Sequence, residues 1–396
     1  MKLFFLIAGF LILLFSEILR VYFIMPFSSQ KDETIDIAYF IHNNINYLRL
    51  IGFALFLYPA FQFLRHGSQV VRITLAVVFG FYCVVFYMFN FKFLADKMFL
   101  EPEKKVLLDV QNNKVKASQL VLGVTINNES KAYPIEIIGY HHQVRDSLGG
   151  TAIMVTYCTV CRTGRVFSPI VEGRNEVFRL VGMDHFNAMF EDSQTGSWWR
   201  QATGEAIVGP MKGKQLDEVS SSQMSLAEWI NLHPDTKVLQ PDPKFNEAYE
   251  GLKNYDEGKS KNKLVRKDSL SWQDKSWVVA IQLGLSSRVY DWIELQRVRL
   301  INDTIQGAQV LIAATPDSAS FHTLSRLINS DTLTFALESD GKTMTDDKTH
   351  STWSLAGKCI EGPLRDRQLL PIPSYQEYWH SWRTFHPTTS RYTIKE

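Results

Sequence analysis

The arrangement of apolar residues along the chain changes near residue 95. Before that point there are three long apolar runs, over residues 3–25, about 48–64 and about 70–93. Each run is long enough to cross a hydrocarbon core of about 30 Å as a helix. The first run lacks a small-residue cleavage site, so we expect an anchor and not a removed signal peptide. We therefore predict an α-helical membrane domain of three spans over residues 1–95.

After residue 117 apolar and polar positions alternate over short stretches, separated by Asn-Asn, Gly-Gly and Asp-Gly turn signals. This pattern predicts strands and hairpins. The pattern also repeats, because stretches 121–126 and 145–150 recur 157 residues later, and the ending 229–234 recurs 153 residues later. A repeat of this length indicates two copies of one domain. The predicted fold is thus a three-span helical bundle followed by a strand-rich α+β region made of two copies.

The predicted copies span residues 118–241 and 276–393. Each is expected to be closed by an amphipathic helix, which carries Trp229 in the first copy and Trp382 in the second. The stretch between them, 242–275, is rich in Lys, Asp, Asn and Gly and has few large apolar residues. We expect this stretch to be a polar, exposed linker.

The distribution of charge bears on partners and orientation. The chain has 42 basic and 41 acidic residues, so nothing favours a nucleic-acid partner, whereas membrane lipid is expected. Lys2, Arg65 and Arg72 share one side of the predicted bundle, which places residues 96–396 outside the cytoplasm, although lysines after the third span favour the opposite orientation. Glu17 and Arg20, three residues apart in the first span, are expected to pair.

Candidate chemistry centres on Cys158 and Cys161, which form a C-x-x-C pair at the end of a β-rich apolar run. This spacing suits a transition-metal site, a structural disulfide or a redox-active thiol pair, and does not choose between them. For a copper, zinc or iron site, His141 and His185 are the best additional ligands. Glu205 is a catalytic acid–base candidate. No nucleotide-binding fingerprint is present, so no nucleotide cofactor is expected.

A comparison of the two predicted copies indicates whether these candidate residues are functional or are needed for folding. At the repeat offset the positions of the two cysteines are occupied by Thr315 and Ser318. The candidate histidines and Glu205 have no like residue in the second copy either. If these groups were needed for folding, their loss from a copy that still folds would be surprising. The comparison therefore favours a functional site in the first copy.

Several spaced motifs carry a family resemblance. They are Tyr133-Pro-Ile, Tyr140-His141, Arg145-Asp-Ser-Leu-Gly-Gly150, Val155-Thr-Tyr-Cys-Thr-Val-Cys161, Thr195-Gly-Ser-Trp-Trp199, Thr203-Gly-Glu-Ala-Ile-Val-Gly-Pro210 and the stretch 229–235. Together they resemble a bacterial family of unknown function with a TYCxxC signature, the DUF3179-like family. The resemblance implies a protein that is often exported or membrane-attached, and it supplies no reaction.

Two functional hypotheses follow. In the first, a multi-pass protein of the bacterial inner membrane holds an extracytoplasmic Cys/His site that binds metal or performs thiol redox chemistry. In the second, the protein is a non-catalytic, membrane-tethered binding or assembly protein whose partner is another membrane or extracytoplasmic protein, and Cys158 with Cys161 forms a structural disulfide. The sequence leaves open whether the protein is an enzyme.

Overall fold

A computed structural model of the chain describes residues 1–26, 30 and 33–394. The described residues form two compact units. Unit 1 contains Met1–Leu100 and Glu176–Gln215, and unit 2 contains Glu101–Asn175 and Leu216–Glu396.

After residue 100 most elements are strands, with single short helices between groups of strands. The helices are α1 (Lys2–Tyr22), α2 (Ile35–His66), α3 (Gln69–Phe91), α4 (Ala95–Met98), α5 (Ile135–His141), α6 (Leu226–Leu232), α7 (Asn246–Glu250), α8 (Trp292–Val298) and α9 (Trp379–Phe385). The strands of the first half are β1 (Leu107–Asp109), β2 (Leu120–Ile126), β3 (Glu129–Pro134), β4 (Gln143–Leu148), β5 (Thr151–Cys158), β6 (Thr163–Phe167), β7 (Ile170–Val171), β8 (Arg174–Asn175), β9 (Phe178–Asp184), β10 (Asn187–Asp192), β11 (Trp198–Arg200), β12 (Ala206–Val208), β13 (Ser221–Ser225) and β14 (Lys237–Leu239). Those of the second half are β15 (Trp277–Leu283), β16 (Ser286–Asp291), β17 (Leu300–Ile305), β18 (Ala308–Ala314), β19 (Phe321–Ser325), β20 (Leu327–Ile328), β21 (Asp331–Thr332), β22 (Phe335–Leu337), β23 (Thr343–Asp346), β24 (Thr352–Ser354), β25 (Cys359–Glu361), β26 (Ser374–Tyr378) and β27 (Ser390–Arg391).

Three helices of unit 1, α1, α2 and α3, are long and apolar enough to cross a membrane. The prediction of three apolar N-terminal helices is therefore confirmed. The second helix is longer than its apolar run, because it begins at Ile35 and not near residue 48. Its extra first turns pack in unit 1, where the Tyr39 ring meets the Trp198 ring edge-on at 5.1 Å between centroids.

A polar cluster joins the three helices. Glu17 is fully buried, and its carboxylate accepts hydrogen bonds from Arg49 Nε at 2.6 Å and from Asn90 Nδ2 at 2.9 Å. Arg20 lies 3.6 Å from Glu17, and its Nη2 also donates to Asn90 Oδ1 at 2.8 Å. The expected pair of Glu17 and Arg20 thus belongs to a larger network. A charge buried among apolar helices needs such partners, because an unpaired one costs several kcal/mol.

Unit 1 also contains a four-stranded antiparallel sheet in the order β12-β11-β10-β9. Strand β9 lies against the chain that follows α1, where Met183 N donates to Ile24 O at 2.8 Å. A Cβ atom on Gly182 would come within 2.6 Å of that same carbonyl oxygen. The close approach therefore requires glycine at this position.

The strand-rich region divides into a first half before residue 242 and a second half after residue 275. In unit 2 the first half begins with two sheets and a helix. Strands β13, β2, β3, β14 and β1 make one sheet, in which β14 runs parallel to β3. Helix α5 leads to the three-stranded meander β4-β5-β6. The alternating pattern of the sequence thus gives strands, as predicted, and the strand-rich region after the helices is confirmed.

The second half shows the same succession of elements. Its first sheet has the order β26-β15-β16-β27, with β27 parallel to β16, and α8 leads to the meander β17-β18-β19. Side-chain contacts recur as well. Tyr133 OH donates to Asp146 Oδ2 at 2.8 Å in the first half, and Tyr290 OH donates to Asp303 Oδ2 at 2.7 Å in the second.

The connecting segment, residues 242–275, is more ordered than an exposed linker. It contains α7, and four of its apolar side chains are buried, those of Phe245, Tyr249, Tyr255 and Val265. Tyr255 is 0% exposed, and its ring meets that of Tyr157 edge-on at 6.1 Å. The expectation of an exposed segment was wrong at these residues, because a few aromatic side chains suffice to attach a polar stretch to a core.

Candidate functional site

The C-x-x-C pair lies at a hairpin. Strands β5 and β6 pair antiparallel up to Cys158 and Thr163, so residues 159–162 form the turn between them. Arg162 closes the turn with φ of +57°, a left-handed conformation that costs a non-glycine residue about 1 kcal/mol. The turn brings Cys161 back beside Cys158. We refer to residues 158–163 as the thiol turn.

Both thiols are fully buried and are not joined by a disulfide. The side chains of Cys158 and Cys161 are within hydrogen-bonding reach of each other, and the Ser381 hydroxyl is within reach of Cys161. Ser381 Oγ also lies 3.3 Å from Thr163 Oγ1 and donates to Glu377 Oε2 at 3.0 Å. The start of α9 therefore covers the pair from the second half of the chain.

Lys275 and His380 bring a cation and an imidazole to the same turn. Lys275 Nζ donates to the carbonyl of Val160 at 2.5 Å, and His380 Nε2 lies 3.2 Å from that oxygen. The lysine and imidazole nitrogens are 3.1 Å apart. The Lys275 ammonium also lies over the Tyr378 ring, 4.7 Å from its centroid. Two thiols, an ammonium, an imidazole and a hydroxyl thus meet at one buried turn.

The backbone carbonyls of the thiol turn are satisfied by distant residues. Tyr255 OH donates to Thr159 O at 2.9 Å, Lys275 Nζ donates to Val160 O, and Tyr378 N donates to Cys161 O at 3.0 Å. A buried carbonyl without a donor would cost about 1–3 kcal/mol. The connecting segment and the second half therefore hold this turn in place.

Burial sets the protonation states at the turn. Burial, followed by the hydrogen bond with Cys158, raises the pKa of the Cys161 thiol well above its usual value. Burial lowers the pKa of Lys275, although the nearby thiols oppose that shift. Burial and then the Lys275 charge lower the pKa of His380 to about 3. At neutral pH Cys161 is therefore a thiol and His380 is a neutral imidazole.

The predicted histidine ligand His141 ends helix α5. Its ring is buried, and its Nε2 lies 2.6 Å from the hydroxyl oxygen of Tyr249. The ring also meets that of Phe245 edge-on at 5.0 Å between centroids. His141 is thus integrated in the packing between α5 and the connecting segment.

The other predicted polar residues assemble in unit 1. Asp184 Oδ1 lies 2.6 Å from His185 Nδ1, and Asp184 Oδ2 accepts a hydrogen bond from Arg200 Nε at 2.7 Å. Arg200 Nη1 reaches Glu205 Oε2 at 3.2 Å. The hydrogen bond to Asp184 raises the pKa of His185. His185 and Glu205, singled out separately in the sequence, therefore belong to one hydrogen-bonded chain.

Metal-ligand geometry gives no further support to the predicted four-ligand set. In the part of the chain that the structure describes, no group of three or more His, Cys, Asp or Glu side chains is placed to hold a metal ion. Structural zinc sites take four such ligands. Metal binding by Cys158, Cys161, His141 and His185 stays a prediction.

Sequence reasoning missed Lys275, His380 and Ser381, because the search was confined to the half that carries the thiols. A signal was nevertheless present. At the repeat offsets Lys275 corresponds to Ser118 and His380 to Ala227. Neither Lys275 nor His380 therefore has a residue of the same type at the repeated position, and the same is true of the two cysteines.

A family model matches most of the region after the apolar N-terminal helices. The model, Protein of unknown function (DUF3179), matches residues 104–389, more than half of the chain. The chain belongs to this family. The match confirms the resemblance carried by the sequence motifs, and a search of curated proteins and a search of solved structures each found no match.

The DUF3179 match includes the whole thiol turn together with Lys275, His380 and Ser381. The helices α1–α4 end at Met98 and lie outside it. The residues gathered at the thiol turn are therefore part of the family domain and not of the apolar N-terminal helices.

Proposed function

We propose that this DUF3179 protein is a membrane-anchored thiol–disulfide redox protein whose reactive pair is Cys158 and Cys161. The supporting observation is the set of groups around the thiols. A buried ammonium next to two thiols favours the thiolate form that thiol–disulfide exchange requires, and a hydroxyl within reach of Cys161 does the same. A cystine that serves only as a staple needs neither group.

The proposed reaction is an exchange with a disulfide of a partner protein. The thiolate of one cysteine attacks the partner's disulfide, and a mixed disulfide forms while one partner sulfur leaves as a thiolate. The second cysteine then loses its proton and attacks the mixed disulfide. The Cys158–Cys161 disulfide forms, the partner is reduced to a dithiol, and two electrons pass to the partner. Because Cys161 holds its proton at neutral pH, we assign it the second step.

A structural disulfide is the second candidate, and the full burial of both sulfur atoms favours it. A buried pair exchanges only when the segments covering it move. Metal binding is a third proposal, with copper, zinc or iron held by the two thiolates. The Lys275 ammonium disfavours it, because a second cation beside the same sulfurs is repelled.

The reduction potential separates the first two candidates. The full-length protein in detergent is equilibrated with glutathione buffers of graded potential, and free thiols are counted by mass spectrometry after alkylation. We expect a two-electron transition between about −120 and −270 mV, the range of redox-active pairs. A transition below about −300 mV indicates a structural disulfide and overturns the redox proposal. The variant Cys158→Ala with Cys161→Ala, which should show no transition, is the control.

We also propose that the two halves are copies of one domain. The repeated element order, the repeated parallel strand pairs β3–β14 and β16–β27, and the recurring tyrosine–aspartate hydrogen bonds support this. The proposal makes the second half a folded reference that lacks the thiols. Superposition of the two halves in an experimental structure tests it, and different strand orders would refute it.

The orientation of the membrane helices is the remaining part of the proposal. The basic residues Lys2, Arg65 and Arg72 favour a cytoplasmic N-terminus and an extracytoplasmic family domain at the bacterial inner membrane. An oxidising compartment there would supply disulfide-bearing partners. Alkaline phosphatase fused after the last residue should be active. An inactive fusion together with an active cytoplasmic reporter would reverse the orientation.

A further inference from the structure

A cleft in unit 2 lies outside the group of residues assigned to the thiols. It has a volume of about 880 Å³ and lies between the first half, the connecting segment and the second half. Its apolar wall includes Ile137, Trp277 and Trp292, and its polar wall includes Asp256 and Lys267. A volume of this size suits a small organic molecule.

Most charged groups of the cleft already have a partner. Lys259 pairs with Glu257 at 2.8 Å, and Lys253 lies 3.5 Å from Glu250. Asp317 accepts hydrogen bonds from the hydroxyls and backbone of its own turn. These groups leave the balance of charge in the cleft unchanged.

Two cations that lie against the Trp277 ring at the cleft lack a carboxylate partner among the described residues. Lys267 Nζ lies 4.5 Å from the centroid of the Trp277 ring, and Arg162 Cζ lies 3.7 Å from that same centroid. Among the described residues neither cation is within ion-pair distance of a carboxylate, and burial and the charge of Arg162 both lower the pKa of Lys267. Like charges this close raise the free energy of the site until an anion joins them.

Arg162 is the more constrained of the two. Its side chain is fully buried, and its Nε donates a hydrogen bond to Gln376 Oε1 at 3.0 Å. Within the described part of the chain, Nη1 and Nη2 have no acceptor. A buried guanidinium without an anion is costly, so the site has a deficit of negative charge.

Asp256 is the carboxyl nearest to this deficit, and it does not cancel it. One of its oxygens, Oδ2, accepts from Leu120 N at 2.8 Å, and Oδ1 has no partner among the described residues. Burial raises the pKa of Asp256 to about 7, assisted by Glu136 and Glu257 and opposed by the Leu120 amide and Arg162. Below neutral pH Asp256 is therefore largely protonated, and it then adds no negative charge to the wall of the cleft.

We propose that this cleft binds a small organic anion, whose charged group pairs with Lys267 next to the protonated Asp256, while its apolar part packs on Trp277 and Trp292. The field of the buried Arg162 guanidinium adds to the attraction. The occupant is a carboxylate or phosphate with an attached ring or short apolar chain. The inference does not depend on the redox chemistry of the thiols.

The test uses the full-length protein in detergent micelles and 1-naphthoate as the probe, with binding measured by calorimetry. Its neutral analogue 1-naphthamide controls for apolar partition, and protein-free micelles are subtracted. We expect saturable binding of naphthoate at least about tenfold tighter than that of naphthamide, since one lost charge pair of about 1.4 kcal/mol is tenfold in affinity. Lys267→Met should remove this preference.

Two further variants sharpen the result. Lys253→Met removes a cleft lysine that already has a partner, and it should change the affinity less than about twofold. Between pH 6 and pH 8 the wild-type affinity for naphthoate should fall by up to about tenfold as Asp256 ionises, whereas that of Asp256→Asn should stay constant. Three results would overturn the proposal. They are a lack of saturable binding, equal binding of 1-naphthoate and 1-naphthamide, and an unchanged preference for 1-naphthoate in Lys267→Met. An unchanged pH dependence in Asp256→Asn would remove Asp256 from it.

Discussion

The thiol turn and the corresponding turn of the second half, residues 315–320, are joined to their hairpins in the same way but are held by different means. Strand pairing ends at Cys158 and Thr163 in the first, and the hydrogen bond from Thr315 N to Ser320 O at 3.0 Å closes the second. In the second turn Asp317 Oδ1 accepts from Ala319 N at 2.9 Å and from Ser320 N at 2.8 Å. That turn is held by its own carboxylate.

The thiol turn has no such internal acceptor, because Val160 occupies the position of Asp317 at the repeat offset. Its carbonyls depend on Tyr255, Lys275 and Tyr378. A hairpin of this kind therefore folds without cysteines, provided that something else holds the turn. The second turn is built on a single aspartate, whereas the thiol turn carries two thiols and is held by residues of the connecting segment and the second half.

The largest effect should come from removing the external support of the thiol turn. Tyr255 is fully buried and bonds to Thr159 O, so Tyr255→Ala should lower the free energy of unfolding by about 3–5 kcal/mol. Tyr255→Phe keeps the ring and should cost only about 1–2 kcal/mol, the value of a hydrogen bond to a buried carbonyl. Thermal unfolding followed by circular dichroism measures both. Wild-type stability in Tyr255→Ala would show that the thiol turn holds itself.

The next effect concerns the cation at the thiols. Lys275→Met removes a positive charge that favours thiolates and has no effect on a neutral disulfide, so the reduced form loses stability. We expect the reduction potential to fall by about 30 mV, equivalent to about 1.4 kcal/mol for two electrons. The effect should grow as pH rises, because more thiolate is then present.

Two controls sharpen this result. Lys259→Met removes an exposed lysine that pairs with Glu257, and it should leave the potential unchanged. A transplanted pair, Thr315→Cys with Ser318→Cys in a protein without Cys158 and Cys161, tests the surroundings, because Ala227 stands at the position of His380 and Ser118 at that of Lys275 at the repeat offsets. If the transplanted pair has the same potential as the native one, the residues around the thiol turn do not set it.

A smaller effect on stability is expected from substitutions within the two turns themselves. Asp317→Ala should cost about 1–2 kcal/mol, as loss of an aspartate that caps backbone N–H groups does. Under reducing conditions Cys161→Ala should cost about 1 kcal/mol or less, because it removes one small buried atom and no required hydrogen bond. Chemical denaturation of each variant in reductant gives the comparison. A larger loss for Cys161→Ala than for Asp317→Ala would make the thiol a structural requirement.

The helices and the thiols were predictable from sequence for different reasons. An apolar run indicates the apolar part of a helix and not its full length. The number of apolar helices was therefore predicted correctly, but the start of α2 was missed. Its first turns contain Asn43 and Asn44, and their helical conformation is supported by packing of neighbouring residues such as Tyr39 on Trp198. The C-x-x-C pair was identified as a candidate site from the spacing of its two cysteines alone.

The surroundings of the thiols were beyond sequence reasoning of this kind. Lys275 and His380 are more than 100 residues from Val160 along the chain, and tertiary docking alone brings them to its carbonyl. The connecting segment misled for a related reason. Its composition is polar, yet Tyr255 forms a hydrogen bond to the thiol turn and fills space beside Tyr157. Composition averages over a stretch, whereas one buried aromatic residue decides where that stretch lies.

The smallest expected effect is a pH dependence found in the second turn only. Burial would raise the pKa of Asp317, but hydrogen bonds from Ser320 and Thr315 outweigh it and lower the pKa to about 2 from 3.8. A carboxyl whose pKa is lower in the folded state stabilises that state above about pH 4, and this stabilisation is lost as pH falls from about 4 toward 2. Because Asp317 is exposed to solvent, we expect about 1 kcal/mol or less.

The measurement is the difference in melting temperature between wild type and Asp317→Asn. It should be constant from pH 7 to pH 5 and should shrink between pH 4 and pH 3, because the wild-type carboxylate becomes protonated and loses its advantage as an acceptor. The first turn offers the matched comparison, since Val160 stands at the position of Asp317 and does not titrate. Val160→Ala should therefore shift the melting temperature equally over the whole range from pH 7 to pH 3. A difference for Asp317→Asn that stays the same down to pH 3 would mean that the carboxylate does not hold the turn, and that both turns depend on residues outside them.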